Sequence, residues 1–562
     1  MRQGLLLIAV ASVVFLTGLG GTRLWDDDET YFAQVSREMF DRGDLVVPWF
    51  NQALFSHKPP FMYWMMMAAY QVLGVTEFAA RLPSAIFGTA TVLLVWRLGR
   101  ILYSPGAGFW AGIVLSTSLN FVVISRAATC DAELAFFCTL SLYFFACGTT
   151  ANDKSDARGR AGLQTWGDNR DLQPAWRTYM LVYASMGMAM LVKGPIGVVL
   201  PAGVLGVFQL WKRSPGRLSE RVVATGFVSW TIALFQRTLA LLSPSHVVRT
   251  IWSMRPLTAL ATILLVAGPW FAAVAFKTNG EFLSSFFGIH HFHRFTATMD
   301  NHGGPPGYYL LAICVGFFPW IIFFGPSASA VWRRIGERHA WLPADVLVCA
   351  WTVVWIMFFS LATTKFPHYV VPAYPALALL TGRFVDRWSR DADVYGRLAR
   401  NAAWLTLAAA GIGIMIVVPL VAKIYLSGDE FLGMVGLPLI AGAGACAWFS
   451  ERRQIGRVLA SLAATAVCFS VGLFAIAAVQ VDRHQNTAPF AESIRRHSAP
   501  GAVHIGTFRY FRPGLVYYCN DRVEQLADSQ AAGEFLKDPL GQSFLVTTEA
   551  EYEQIAAGLP VR

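Results

Sequence analysis

The sequence predicts a polytopic α-helical membrane protein that ends in a small α/β domain. Hydrophobic residues make up 55% of the 562 residues and charged residues only 14%, whereas a soluble protein contains about 25% charged residues. Apolar stretches long enough to cross a bilayer recur along the chain. Short loops rich in arginine and lysine separate them, so the net charge of +10 indicates membrane topology and gives no sign of nucleic-acid binding.

About thirteen membrane-spanning helices are predicted from length and hydropathy. The first follows a short basic N-terminus and lacks a small-residue cleavage site before Trp25, so we expect an uncleaved anchor. The predicted spans are residues 4–22, 80–98, 106–125, 132–150, 178–192, 195–211, 257–277, 307–325, 345–363, 369–385, 402–422, 432–450 and 458–480.

Loop charges predict the orientation of these spans. The basic clusters lie at residues 97–100, 154–177, 212–221, 333–338, 383–400 and 452–457. With the N-terminus inside, all six clusters face the cytoplasm, as the positive-inside rule requires. Residues 222–256 are apolar but are interrupted by Arg237, Arg249 and Arg255. We therefore expect a helix on the inner surface there rather than a further span.

The outer loop 23–79 is predicted to contain two helices that lie on the membrane surface. Residues 28–42 have an amphipathic helical pattern, and residues 61–73 are apolar and follow a double proline that suits a helix start. With this loop, residues 1–481 form the transmembrane domain. The tail 482–562 has alternating runs at 502–508 and 543–548, which predict a soluble extracytoplasmic α/β domain.

Charged residues at the outer ends of spans indicate a site for a lipid phosphate. The acidic segment near residue 28 lies beside a membrane surface, where charge is costly to keep without a function. Asp28 and Glu29 are the candidate catalytic residues, because a carboxylate can activate a hydroxyl, although acids also favour helix starts. Cations would stabilise a phosphate leaving group. The candidate substrate-binding residues are Lys58, Arg126, Asp131, Lys193, Arg294, Lys365 and His368.

These candidates also have structural interpretations. Lys58 would extend its charge from the membrane interface to water, and Asp131 would pair with Arg126 and orient it. The histidines at 290 and 293, together with His57, are candidate ligands of a divalent cation, but nothing in the sequence brings the three together. The eight cysteines lie mostly in apolar spans and show no spacing typical of disulfides or zinc modules.

Five segments carry a family resemblance when they are taken in order. They are D-E-T-Y-F-A-Q-V-S-R-E-M at 28–39, K-P-P-F-M-Y-W at 58–64, S-R-A-A-T-C-D-A at 125–132, M-L-V-K-G-P-I-G at 190–197 and S-L-A-T-T-K-F-P-H-Y-V-V-P-A-Y-P-A-L at 360–377. The chain resembles the C-type (GT-C) glycosyltransferases that use polyprenyl-phosphate sugars. It looks most like the bacterial aminoarabinose transferases of lipid A, which are relatives of the protein O-mannosyltransferases.

This resemblance implies a membrane enzyme that moves a sugar from a polyprenyl phosphate to an acceptor. Its site would lie on the outer face of the cytoplasmic (inner) membrane, which is the periplasmic face in a Gram-negative host. The acceptor would be lipid A or another lipid, a glycan or a protein hydroxyl, and membrane lipids would surround the enzyme. In the family the first acid of the D-E pair is implicated in catalysis, and it matches Asp28.

The sequence departs from the family pattern at two positions, and two other functional classes stay open. Tyr31 stands where the family usually has an arginine, and His57 stands where it often has a glutamate, so the donor headgroup and the use of a metal stay open. A flippase or transporter of lipid-linked sugars would also grip a phosphate, but such proteins usually show internal repeats and midplane charges. A non-catalytic binder of polyprenyl lipids is the third class.

Overall fold

The architecture described here is that of a computed structural model. The structure describes residues 1–25, 27–151, 173–213, 241–293, 303–305, 307–336, 342–485, 487–498, 503–537 and 542–559. Arg294 and residues 222–240, which are more than half of the stretch 222–256, are outside these residues, so the predictions made for them stay predictions.

The N-terminal third contains the outer loop with its two predicted helices. Helix α1 is Arg2–Leu16, α2 is Asp28–Arg42 and α3 is Phe61–Leu73, and a short antiparallel hairpin of β1 (Trp49–Phe50) and β2 (Ala53–Leu54) lies between α2 and α3. One side of α2 is buried, including Phe32, Val35 and Met39, and packs on α3. The amphipathic pattern thus fixes which face of α2 turns inward.

Long apolar helices make up most of the remaining chain. Within the described residues, seven helices have the length and composition to cross a membrane, or nine if each of two bent pairs is one span. This agrees with a multi-pass membrane protein, but it does not establish the predicted thirteen spans. The helices are α4 (Glu77–Leu102), α5 (Pro105–Ser116), α6 (Leu119–Arg126), α7 (Asp131–Ala151), α8 (Trp176–Lys193), α9 (Ile196–Lys212), α10 (Pro244–Ser253), α11 (Pro256–Lys277), α12 (Glu281–Ser284), α13 (Tyr308–Gly316), α14 (Phe324–Gly336), α15 (Pro343–Leu361), α16 (Tyr374–Arg390), α17 (Arg397–Tyr425), α18 (Leu437–Glu451), α19 (Ile455–Val471) and α20 (Ala478–Asp482).

Short irregular helices join several of these elements. A π-helical stretch, Ser285–His293, continues α12, and a second, Gly472–Ala477, joins α19 to α20. The remaining joints are 3₁₀ turns at Trp320–Phe323, Pro367–Ala373, Ala392–Val394 and Glu430–Gly436. The turn at Pro367–Ala373 carries His368 towards the outer loop residues described below.

The tail contains a three-stranded parallel sheet flanked by short helices. Its strands β3 (Val503–Phe508), β4 (Val523–Leu526) and β5 (Gln542–Val546) are arranged in the order β4-β3-β5. The helices are α21 (Thr487–His497), α22 (Pro513–Cys519), α23 (Ser529–Phe535) and α24 (Glu549–Ile555), and a 3₁₀ turn follows at Ala556–Gly558. Because α22 packs on α2, the tail sits directly on the outer loop.

Hydrogen bonds between side chains and backbone groups hold the tail against that loop. The Asn51 side chain donates to the Val523 carbonyl (2.8 Å) and accepts from the Val523 N–H (2.9 Å). The Tyr518 hydroxyl accepts from the Leu24 N–H at 2.8 Å, and Arg37 donates to the Tyr517 carbonyl. The tail therefore holds both the start of the outer loop and the β-hairpin.

Glycines allow α4 and α5 to approach each other closely. A Cβ added at Gly99 would lie 2.6 Å from the Gly108 Cα, a separation that real side chains do not reach. Without apolar transfer to drive association inside a bilayer, such close backbone packing is a main source of helix–helix stability.

We expect Gly99→Leu to destabilise the protein by about 1–3 kcal/mol or more, because the α4–α5 contact leaves no room for a side chain. Gly206→Leu on α9 is the matched control, since a Cβ there meets no described atom within 4 Å. Thermal unfolding of the two variants in detergent measures the difference. Equal melting temperatures would show that the helices do not pack as described.

Candidate active site

The first turn of α2 presents an accessible carboxylate at the edge of the bundle. Asp28 is the first residue of the helix and its side chain is exposed. Asp27 precedes it with a positive φ of 71°, which is uncommon for a residue other than glycine. Within the described part of the chain, no hydrogen bond or ion pair engages the Asp28 carboxylate. A substrate can therefore reach it.

The neighbouring Glu29 is in the opposite situation, because it is buried in an ion pair. Arg81 on α4 donates to both Glu29 carboxyl oxygens, at 2.9 and 2.7 Å. The N–H groups of Trp25 and Ala128 also donate to them, at 2.8 and 2.7 Å. Burial alone raises the pKa of Glu29, but the charge and hydrogen bonds of Arg81 outweigh burial and hold this pKa below its ordinary value. These contacts favour a positioning role for Glu29.

Arg81 also organises the chain before α2. Its guanidinium donates to the carbonyls of Leu19, Thr22 and Arg23 at 2.7–3.0 Å. Five donors in a planar fork suit such a multiple contact. Arg81 is not among the residues predicted from the sequence, although an arginine within an apolar segment indicates a functional or structural role.

A second ion pair lies across the site, between the N-terminus of α7 and the C-terminus of α8. The Lys193 ammonium is 2.5 Å from an Asp131 carboxylate oxygen and 5.2 Å from the centre of the Tyr369 ring. Both charged side chains are largely buried. The predicted alternative was a pair between Asp131 and Arg126. In the structure Asp131 pairs with Lys193 instead.

His368 lies within electrostatic reach of four other predicted site residues. They are Asp131, Lys193, Asp28 and Lys58. Burial lowers the pKa of His368, and although the two carboxylates oppose this, the pKa stays below the ordinary histidine value. His368 is therefore neutral at physiological pH and can both donate and accept a hydrogen bond. The structure thus brings together five residues that are far apart in the sequence.

An apolar cavity opens beside the two lysines. Its volume is about 400 Å³ and it is lined mainly by apolar and aromatic side chains, among them Val199, Phe287 and Phe358. Lys58 and Lys193 both belong to its lining, as do His290 and Thr364. A cavity with apolar walls and two cations fits an amphiphile with an anionic head.

The remaining candidates have other surroundings. Arg126 donates to the carbonyls of Val14 and Phe15 at 2.9 Å and packs over the Phe474 ring, so it ties α6 to α1. Lys365 is buried and donates to the Ala362 carbonyl at 2.7 Å. Their roles in substrate binding stay predictions.

The histidines of the outer loops do come close together. The rings of His57 and His290 are 4.1 Å apart, and His57 stacks on Phe55 at 4.0 Å. Across the described residues, no group of three His, Cys, Asp or Glu side chains is placed to hold a metal ion. The divalent cation that the sequence left open stays a prediction.

We predict that Glu29→Gln destabilises the protein by about 3–5 kcal/mol, because it leaves the buried Arg81 charge uncompensated. Glu451→Gln, which breaks an exposed pair with Arg397, should cost less than about 1 kcal/mol. Denaturant unfolding in detergent provides both values.

The same pair predicts a pH dependence. Because the folded-state pKa of Glu29 is lowered, its stabilising contribution is complete above the ordinary glutamate pKa and is lost as the pH falls through the folded-state value. The stability difference between wild type and Glu29→Gln should therefore shrink in acid. A difference that is constant with pH would contradict the ion pair.

Comparison with known proteins now adds to this geometry. Residues 57–158 match the family model described as dolichyl-phosphate-mannose-protein mannosyltransferase. Undecaprenyl phosphate-alpha-4-amino-4-deoxy-L-arabinose arabinosyl transferase of Pectobacterium carotovorum is 26% identical over 78% of this chain and 68% of its own length. The transferase of the same description from Pectobacterium atrosepticum is 27% identical over 80% of this chain and 71% of its own.

Solved structures have the same fold. The crystal structure of ArnT from Cupriavidus metallidurans bound to undecaprenyl phosphate has a TM-score of 0.72 at 23% identity and covers 99% of this chain and 95% of its own. The archaeal oligosaccharyltransferase AglB from Archaeoglobus fulgidus has a TM-score of 0.50 at 12% identity, over 98% of this chain and 69% of its own. The comparisons confirm the predicted resemblance and favour an enzyme over a flippase: the chain is similar to the C-type glycosyltransferases, in particular to the polyprenyl-phosphate-dependent aminoarabinose transferases.

Proposed function

We propose that the chain transfers a sugar from a polyprenyl-phosphate donor to an acceptor hydroxyl at the outer membrane face, with Asp28 as the catalytic base. The apolar cavity with Lys58 and Lys193 in its lining is the observation that supports this proposal most strongly. The names of the relatives support undecaprenyl phosphate as the donor lipid. Lipid A, another lipid, a glycan and a protein hydroxyl all remain candidate acceptors.

The lipid part of the donor would lie along the apolar wall of the cavity. Polyprenyl chains consist of hydrocarbon, and burying each CH₂ group is worth about 0.8 kcal/mol. Phe287, Phe358 and Val199 provide matching surface, and Val199 is exposed enough to meet a ligand. Since a lipid donor arrives through the bilayer, the enzyme needs no nucleotide-binding fold.

The phosphate would lie between the two lysines. An ammonium has three N–H donors, so the bond of Lys193 to Asp131 is compatible with a contact to a phosphate oxygen. Asp131 keeps Lys193 in place, and the Tyr369 ring packs near its charge. Positive charge fixed at this point stabilises the negative charge that develops on the leaving phosphate.

The reaction would be a single displacement at the anomeric carbon. The acceptor oxygen forms the new bond to that carbon while the bond from carbon to the phosphate oxygen breaks. The proton of the acceptor hydroxyl passes to the Asp28 carboxylate, and polyprenyl phosphate leaves with the bonding electrons. Neutral His368, within electrostatic reach of Asp28 and both lysines, is placed to hydrogen-bond the transferring sugar or its phosphate.

Glu29 and Arg81 would act by positioning. Their ion pair fixes the first turn of α2 against α4, and Asp28 is the adjacent residue of that turn. An orientation held by buried contacts reduces the entropy that must be lost on reaching the transition state.

We predict that Asp28→Asn lowers the transfer rate by a factor of about 10²–10⁴, because it removes the general base. Asp27→Asn is the matched control: it is the neighbouring acid, and Asn, like Asp, adopts a positive φ more readily than most residues do. Mass spectrometry of the cell envelope after complementation of a deletion strain measures both. Full activity of a folded Asp28→Asn protein would exclude this role for Asp28.

We predict that Lys58→Ala weakens binding of undecaprenyl phosphate by about tenfold or more, because a charge-assisted contact in the cavity is lost. Lys277→Ala removes a lysine that pairs with Asp44 outside this cavity, and it should leave the affinity unchanged. Native mass spectrometry of the purified protein with the lipid phosphate gives both affinities. Equal losses in the two variants would indicate a general electrostatic effect instead.

A further inference from the structure

The tail domain contains a second cavity that the proposed reaction does not use. Its volume is about 510 Å³, and it lies between one face of α21, the edge strand β5 and the start of α24. Phe490, Ile494 and His497 on α21 line it at spacings of four and three residues, which places them on the same side of the helix. The opposite wall is formed by the carboxyl end of β5 and the threonines that follow it.

The lining combines aromatic rings with hydroxyl groups. Phe490 and Tyr552 keep 37% and 54% of their surfaces exposed, although both are large aromatic side chains. Ser493, Thr547 and Thr548 add hydroxyls, and Glu549 adds one carboxylate. The lining formed by the described residues includes no lysine or arginine, so it does not suit a phosphate.

This chemistry matches a neutral carbohydrate. The C–H faces of a sugar ring pack on aromatic rings, while its hydroxyls need both donors and acceptors nearby. Ser and Thr hydroxyls provide both, and a carboxylate accepts two or more hydrogen bonds. The Thr547 hydroxyl donates to the Phe508 carbonyl and can still accept a hydrogen bond, and the Thr548 hydroxyl accepts from the Glu551 N–H and can still donate one.

The tail cavity is joined to the candidate active site by helices that pack on one another. Helix α21 packs on α22, and α22 packs on α2, the helix that starts at Asp28. Two successive helix packings of 8–10 Å place the cavity on the order of 20 Å from α2. A single sugar cannot reach both places, but an oligosaccharide can.

We propose that this tail cavity binds a neutral oligosaccharide portion of the acceptor, and so holds the acceptor while its far end meets Asp28. This inference rests on the proposed function, since it names the class of acceptor that the transferase uses. Binding energy from a remote part of a substrate lowers the concentration needed for turnover and favours acceptors that carry the extended glycan.

Saturation-transfer NMR on the full chain in lipid nanodiscs tests the proposal directly. The probes are maltotetraose, cellotetraose and mannotetraose, with empty nanodiscs as the blank. We expect at least one tetrasaccharide to bind, and Phe490→Ala and Tyr552→Ala each to weaken binding by about five- to tenfold. Phe490→Trp should retain binding because it keeps an aromatic face.

Tyr425→Ala is the matched control, because Tyr425 is an exposed aromatic residue (74%) outside this cavity. It should bind the tetrasaccharides as the wild type does. Asp28→Asn should also bind normally, so this assay separates a failure of the cavity from a failure of the catalytic proposal. The inference is overturned if no tetrasaccharide binds, if Phe490→Ala and Tyr425→Ala behave alike, or if the cavity takes up only an extended peptide along β5.

Discussion

The buried ion pair between Glu29 and Arg81 is the interaction on which the outer half of the molecule depends. Two charges removed from water are stable only when their remaining hydrogen-bonding groups are also satisfied. Arg81 meets this requirement with three carbonyls of the loop after α1, and Glu29 meets it with the N–H groups of Trp25 and Ala128. The pair thereby joins α1, α2, α4 and the segment before α7 at one point, next to Asp28.

The second constraint is the placement of charge at the end of an apolar cavity. Lys58 comes from the outer loop and Lys193 from the end of α8, and both line the same cavity. Asp131 and Tyr369 hold Lys193, so its charge is available at a fixed position. An accessible carboxylate, fixed cations and an apolar wall are what a lipid-phosphate sugar donor requires, and together they give the family resemblance a physical basis.

Local patterns predicted much of this architecture. Residues 28–42 and 61–73 were expected to be helices, and α2 and α3 have those bounds. The run at 502–508 predicted a strand where β3 lies, but the short polar strand β4 gave no periodic signal. The predicted span 106–125 is bent by 65° between α5 and α6. There Thr117 and Ser118 donate to carbonyls four residues earlier, a pattern that often bends helices.

The site was less predictable, because its partners are distant in sequence. Glu29 looked catalytic beside Asp28, but its partner Arg81 lies 52 residues further along the chain, and only the fold brings the two together. Arg126 was predicted to bind the phosphate because its charge lies at the predicted outer end of a span, and the structure shows it donating to the backbone of α1. Residue types and spacing predicted which side chains to consider, whereas the contacts that each of them makes could be known only from the tertiary structure.

The central claim is that a polyprenyl phosphate occupies the cavity between α9, α15 and the outer loop. Photo-crosslinking tests it most directly, with a benzoylphenylalanine at Val199 in the cavity wall and, as a control, at the exposed Leu405 on α17. The account predicts that position 199 crosslinks to undecaprenyl phosphate and that unlabelled lipid phosphate reduces this crosslink by competition. At position 405, unlabelled lipid phosphate should reduce no crosslink. Equal, non-competed crosslinking at the two positions would contradict it.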